Sequence, residues 1–300
     1  MLQTYNPLNR DLLVNINGKL VHRDEAGVSP FDSAVQNGDA VWEGLRLYNG
    51  GIFKLPEHLD RLQKSAQLLQ YAGFPERDVL VEQLKQTLLA NKMHNDVHVR
   101  LTVSRGLKYT SGLDPRINQL GCSYFILAEH KPLVYDKSGI RLMTAMHRRP
   151  SPHILNQHIH SCNQLTSILA KLEANAAGAD DALMLDTRGY LAETNATHVF
   201  IVKSGVVMTS TCIACPEGIT RATVLDLCQR NGIPAEQRDI PPELLYAADE
   251  MFVTGTMGEL VPVTSLDEEP IGVPGGARPV LDQLNELFAA EVRVGCTPLV

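Results

Sequence analysis

With 300 residues, of which 44% are hydrophobic and 20% charged, the chain can bury two sizeable cores of about 150 residues each. No stretch approaches the ~18 uninterrupted apolar residues of a membrane span. A net charge of −7 without any basic run argues against a nucleic-acid partner, which needs clustered Lys and Arg to displace counterions.

From the N-terminus, "DLLVNINGKLVHRD" sets an Asn-Gly turn between two apolar runs, a strong hairpin signal. The segment "VWEGLRLYNGGIFKL" follows as strand with its own Asn-Gly turn. "PEHLDRLQKSAQLLQYAGF" places Leu59, Leu62, Ala66 and Leu69 at helical spacing, with Gly73 marking the end. "ERDVLVEQLKQTLLANK" is a second amphipathic helix, and "DVHVRLTVSRG" and "CSYFILAEH" are strands. Proline and mixed charge in "EHKPLVYDKSG" suggest a linker, dividing the chain into a domain of residues 1–128, a linker of 129–138 and a domain of 139–300. The second part opens on a strand, "GIRLMTAMHRR", followed by a helix after His160. Three strands are expected in "DDALMLDTRGYLAETNATHVFIVKSGVVMTS", then a helix in "GITRATVLDLCQRNG". A strand and tight turn in "DEMFVTGTMGELVPVTSLD" precede a C-terminal helix near 279–292.

The chemistry-bearing stretch is "QHIHSCNQL". On an extended segment, residues i and i+2 point the same way, so His158 and His160 are expected on one side. "SCNQ" has the form of a capping box with Ser161 at the N-cap and Gln164 three residues on, which would set His160 beside the positive end of a helix dipole and favour its neutral form. The helix would carry Leu165, Ile168, Leu169, Leu172 and Ala176 on one face, with Gly178 just past its end. "EGITRATVL" is a Gly-led loop opening into a helix, suited to phosphate, with the Thr220 hydroxyl added. Cys212 and Cys215 have C-x-x-C spacing, open to reading as a redox pair, half a zinc site or two loop thiols.

The segments "EHLDRL", "HIHSCNQLTSILAKLEANAAG", "GYLAETNATHVF", "GITR" and "MFVTGTMGELVPV" together resemble, in order, the fold-type IV pyridoxal-phosphate enzymes, the class IV aminotransferases, which include branched-chain and D-amino-acid aminotransferases. The resemblance covers nearly the whole chain. It implies a two-domain α+β fold with an N-terminal α/β domain and a C-terminal pseudo-barrel domain, the cofactor between them, and a homodimer or higher homo-oligomer. It also implies pyridoxal or pyridoxamine 5′-phosphate as cofactor and an amino acid or keto acid as substrate. Position by position, it makes Arg61, Gly218, Ile219, Thr220 and Thr256 the phosphate-binding set and Glu193 the partner of the pyridine nitrogen, where an anion keeps the ring an electron sink. Trp42, Arg100 and Met257 fall where the family receives substrate.

At the family's Schiff-base lysine position stands His160, which has no amine to bond the cofactor aldehyde. Lys171, eleven residues on, matches an ordinary helix lysine, and His198 replaces a usual asparagine. The expectation is therefore non-covalent cofactor binding with His160 as acid and base. Two other outcomes are kept open: a cofactor-free or non-catalytic descendant binding a small anionic metabolite, and a metal site of His153, His158 and His160. Neither a signal peptide nor a membrane segment is evident, so a cytoplasmic location is expected.

Overall fold

The structure is a computed structural model that describes residues 3–300. It divides into two compact units. One runs up to Pro132 and takes in Ile159–Asn163 and Gly295–Val300; the other comprises Leu133–His158 and Gln164–Val294. The division is thus not a single cut in sequence, because two short later segments pair with N-terminal strands.

In the N-terminal unit both Asn-Gly turns are formed. Asn17 and Gly18 (φ 52° and 83°) join β1 (Leu13–Ile16) to β2 (Lys19–His22), and Asn49 and Gly50 (φ 46° and 82°) join β3 (Ala40–Tyr48) to β4 (Gly51–Phe53). Positive φ at both central positions matches the right-handed twist of the strands, which is why Asn and Gly occupy them. A one-turn helix α1 (Ser33–Asn37) precedes β3, and α2 (Leu55–Leu68) and α3 (Arg77–Ala90) follow β4. With β5 (Val97–Ser104), β6 (Ser123–His130) and the C-terminal strand Cys296–Pro298, they complete a seven-stranded sheet ordered C-terminal strand, β4, β3, β5, β6, β1, β2. Leu59, Leu62 and Ala66 of α2 and Leu80, Leu84 and Leu88 of α3 bury against alternate residues of the strands, among them Val41, Leu45, Leu47, Val99 and Leu101. Period 3.6 on the helices meets period 2 on the sheet, so one apolar layer seals the unit.

The C-terminal unit contains β7 (Ile140–Thr144), α4 (Leu165–Ala176), β8 (Asp181–Leu185), β9 (Leu191–Thr194), β10 (His198–Lys203) and β11 (Val206–Thr209). Then come α5 (Ile219–Arg230), β12 (Ala235–Gln237), α6 (Pro242–Tyr246), β13 (Glu250–Gly255), β14 (Glu259–Leu266), β15 (Glu269–Pro270) and α7 (Pro279–Val294). The strand path is β12, β11, β10, β13, β14, β7, β8, β9, with β15 beside β14. Thr194 N donates to Thr197 O across 2.7 Å, so β9 at the end of the path turns directly into β10 near its start. The sheet curls back on itself around Leu183, Val199, Ile201, Val253, Val261 and Val263.

Two local expectations are corrected here. The stretch 181–209 forms four strands, because the turn at Asp186–Gly189 divides the first from the second. On α4 the inward face is Ser167, Ala170 and Ala174, packed on Ala182 and Met184 of β8, while Leu165 (67%), Ile168 (54%) and Leu172 (58%) are exposed. Small side chains let the helix lie close to the strand, so volume and not hydrophobicity chose the buried face. Among the described residues no helix is long and apolar enough to cross a membrane.

Candidate active site

β3 alternates: Val41, Glu43, Leu45 and Leu47 share one face and all are fully buried. A carboxylate in that row is costly unless it is paired and hydrogen-bonded. The partners come from one stripe of α2. His58, Arg61 and Ser65, spaced three and four residues apart, lie above the strand, and the first two close on Glu43. Arg61 donates from Nε to Glu43 Oε1 at 2.8 Å and from Nη2 to Oε2 at 2.7 Å, and His58 Nδ1 lies 2.6 Å from Oε2. Burial pushes the Glu43 carboxyl upward, but Arg61 and His160 more than offset this and hold it well below the usual range.

Of β3, only the end at Leu47 and Tyr48 is paired with β4. The open edge at 40–42 is taken by residues 159–162, whose bonds are Trp42 N to His160 O (3.0 Å) and Cys162 N to Ala40 O (2.8 Å), with a bridge between Val41 and Ser161. His160 is thereby fixed by its backbone, and its own N–H donates to Ser65 Oγ at 3.1 Å. Its ring stacks on Trp42 with centroids 4.5 Å apart, and Arg100 lies over the indole at 3.9 Å. The Arg100 guanidinium also reaches Cys162 Sγ at 3.8 Å, and Trp42 Nε1 donates to Ser161 O at 3.1 Å. His160 Nδ1 is 2.5 Å from the Trp42 carbonyl oxygen and 3.5 Å from Glu43 Oε1. A carbonyl oxygen only accepts, so Nδ1 carries the hydrogen, and in the neutral ring Nε2 holds the lone pair. Burial and then Arg61 lower the His160 pKa, with Glu43 opposing.

The capping box expected at Ser161 is not formed. α4 begins at Leu165, its N-cap Gln164 makes no side-chain cap bond, and Ser161 is spent on the β3 edge. The neutral form of His160 is therefore favoured by burial and Arg61 rather than by a helix dipole. Nor is residue 158 extended: it lies in a turn, with Nδ1 3.6 Å from Glu217 Oε1. Lys171 donates to Asp181 Oδ1 at 2.9 Å and to the Asp180 carbonyl, a structural role. Among the described residues no group of three or more His, Cys, Asp or Glu could hold a metal ion.

In the C-terminal unit Glu193 is buried on β9, where Arg149 Nη2 approaches Oε1 at 2.7 Å and His198 Nδ1 stands 4.0 Å from Oε2. Arg149 also donates to the Thr194 carbonyl at 3.1 Å. Gly218 is the N-cap of α5 and supplies no side-chain cap, so the first-turn amides of Ile219 and Thr220 have no side-chain acceptor at the cap, and Thr220 is buried beside them. Glycine is required at 218 for space: a Cβ would lie 2.3 Å from Cδ2 and Nε2 of His198. Arg221 is a brace, donating to Ser210 O (2.6 Å) and Gln237 Oε1 (2.8 Å). Thr256 and Met257 form the turn between β13 and β14, where Met257 O accepts from Val134 N at 3.0 Å. No disulfide joins Cys212 and Cys215; a hydrogen bond from Cys215 lowers the Cys212 pKa, and Cys215 is raised by that bond and by burial.

The family model for amino-transferase class IV matches residues 40–266, a span holding every one of these side chains. The chain belongs to the class IV aminotransferases. It is 47% identical over 283 residues to branched-chain-amino-acid aminotransferase-like protein 2 of Arabidopsis thaliana, covering 94% of this chain and 50% of that protein. It thus spans about half the length of that relative. A D-alanine aminotransferase of Bacillus licheniformis is 34% identical over 268 residues, with 86% and 90% of the two chains covered. Among solved structures, the T.th. branched-chain amino acid aminotransferase in complex with N-(5′-phosphopyridoxyl)-L-glutamate superposes with a TM-score of 0.89 at 31% identity, covering 97% of this chain and 99% of that one. This likeness shows the fold-type IV, two-domain α+β architecture expected from the sequence. Expectation from the motifs named Glu193, Gly218, Thr220 and Arg61 but missed Glu43, His58, Ser65 and Arg149. One signal for them was present, a glutamate at an apolar-face register of a strand.

Proposed function

We propose that this class IV aminotransferase homologue acts on amino acids or keto acids with pyridoxal or pyridoxamine 5′-phosphate held without a covalent bond, and that His160 moves the substrate α-proton at Nε2. The observation that carries this is the binding of Nδ1 by the Trp42 carbonyl, which leaves Nε2 as the basic nitrogen of a pKa-lowered ring. The residues fit the group. Glu193 is a buried anion suited to the pyridine nitrogen, and an α5 N-terminus without side-chain cap, with Gly218, Ile219 and Thr220, suits a phosphate. Thr256 and Arg61 complete the proposed phosphate set, with Trp42, Arg100 and Met257 assigned to substrate. When bound, the cofactor ring supplies an electron sink. His160 would take and return the substrate α-proton, Glu193 would pair with the ring nitrogen, and Arg149 braces the Glu193 carboxyl at 2.7 Å. The proposed assembly is a homodimer or higher homo-oligomer, as the resemblance implies.

One observation favours a second outcome. Arg61 places two donors on Glu43, leaving fewer for a cofactor phosphate, which suits a descendant that no longer holds the cofactor. The test is loss of the α-proton signal of branched-chain L-amino acids and D-alanine in D2O, with protein and pyridoxal phosphate. Wild type should exchange one of them, and His160→Gln should slow exchange about 100-fold or more, the usual worth of a general base. Equal rates in the two proteins would remove His160 from the chemistry.

A further inference from the structure

We propose that Glu43 is a positioning residue for His160: a buried carboxylate that orients the ring with its hydrogen on Nδ1 and stabilises the proton arriving at Nε2. This rests on His160 being the acid and base. Three observations assign the role. Glu43 lies on the core face of β3, where a hydrophobic residue would serve packing alone. It is kept ionised chiefly by Arg61, through bonds of 2.8 and 2.7 Å, and His58 contacts it at 2.6 Å, so it is a fixed negative charge. Its Oε1 is 3.5 Å from His160 Nδ1, on the same side as the Trp42 carbonyl that already receives that hydrogen.

The arrangement separates two jobs. The Trp42 carbonyl, part of the β3 backbone, sets the ring's direction but carries no charge. Glu43 adds the charge, which draws the hydrogen to Nδ1 in the neutral ring and matters most when the ring becomes cationic: an anion within ~4–6 Å favours the protonated form. Other groups around the ring are Arg61 and His58 from α2, Arg100 above the Trp42 indole, and Cys162 two residues along. Arg61 opposes protonation, and Glu43 opposes Arg61. His160 thus stays neutral at rest yet keeps a stabilising contact for the proton it accepts.

The experiment is nitrogen-15 NMR of histidine-labelled full-length protein across pH, with His160 assigned by its loss in His160→Gln. Wild type should show Nδ1 protonated and Nε2 bare at pH 7. In Glu43→Gln the His160 midpoint should fall by about one unit and the two tautomers should mix, whereas Glu43→Asp, which keeps the charge, should restore most of the wild-type signal. Should Gln at 43 prevent folding, the wild-type tautomer and the Asp variant decide the matter. A ring protonated on Nε2 in wild type, a midpoint unmoved in Glu43→Gln, or a midpoint in Glu43→Asp as low as in Glu43→Gln, overturns the assignment. Failure of the acid–base role looks different: the NMR behaves as stated while α-proton exchange survives His160→Gln.

Discussion

At the level of single residues, the proposed function rests on His160. Its backbone is pinned to β3 and Ser65, so a replacement side chain starts from the same place. Burial and Arg61, which lower the histidine's pKa, should also lower that of an amine, favouring the neutral nucleophile. His160→Lys should therefore let pyridoxal phosphate attach covalently, and borohydride should lock the label onto residue 160, located by peptide mass spectrometry. A folded variant without label, or label on Lys171, would show that residue 160 is not where the family's lysine stands. Lys171 is a poor competitor because Asp181 and the Asp180 carbonyl hold its ammonium. The motifs marked out positions 160, 193 and 218, since each lies in a short segment that resembles the family's, His160 as a departure from it. Glu43 was not legible, because its role depends on α2 lying over β3, a contact no local pattern records. Arg149 was missed for the same reason: it meets Glu193 across 44 residues of chain.

At the level of elements, the sequence was most readable where backbone chemistry is strict. Asn17-Gly18 and Asn49-Gly50 adopt positive φ, and α2, α3, α5 and α7 follow their apolar periods. It was least readable at α4, where an apparent capping box and a row of leucines pointed to the wrong start and the wrong face. Ser161 has better partners on the β3 edge than at a helix end, and tertiary pairing overrode the local preference. The junction into α5 offers a sharper test. Gly218 has φ −65°, which alanine tolerates, so any cost of Gly218→Ala is steric. The added methyl meets the buried His198 ring at 2.3 Å. Thermal and urea unfolding should show a loss of about 1–3 kcal/mol, the range for overpacking. In a His198→Asn background the same change should cost at least ~0.5 kcal/mol less, since residues in contact couple. Additive losses would mean that the ring does not fill that space.

At the level of the whole molecule, stability should respond to pH through buried imidazoles. His98 on β5 has a pKa lowered to about 3, chiefly by burial and then by Lys131, Arg100 and Arg46. His160 is lowered as well. A folded-state pKa below the unfolded value of 6.5 means that the unfolded chain binds the extra proton first. Stability should hold above pH 6.5 and fall below it, by up to ~1.4 kcal/mol per pH unit for each such proton. Glu43 has the same sign but a lower window: its depressed pKa contributes stability above the ordinary value of 4.5 that is lost as pH falls further. Urea midpoints between pH 7 and 5 should thus decline before the carboxylates titrate, and His98→Gln should flatten the decline. A wild-type midpoint constant over that range would contradict neutral burial of these rings.

On the proposed function the cofactor is bound but not bonded. Titrating the wild-type protein with pyridoxal phosphate, following absorbance, and then dividing the sample between dialysis and borohydride reduction tests it most directly. Saturable binding that dialysis reverses, with no borohydride-fixed label on any peptide, is the expected result. Absence of saturable binding, or a label that reduction makes permanent on a lysine, would contradict it.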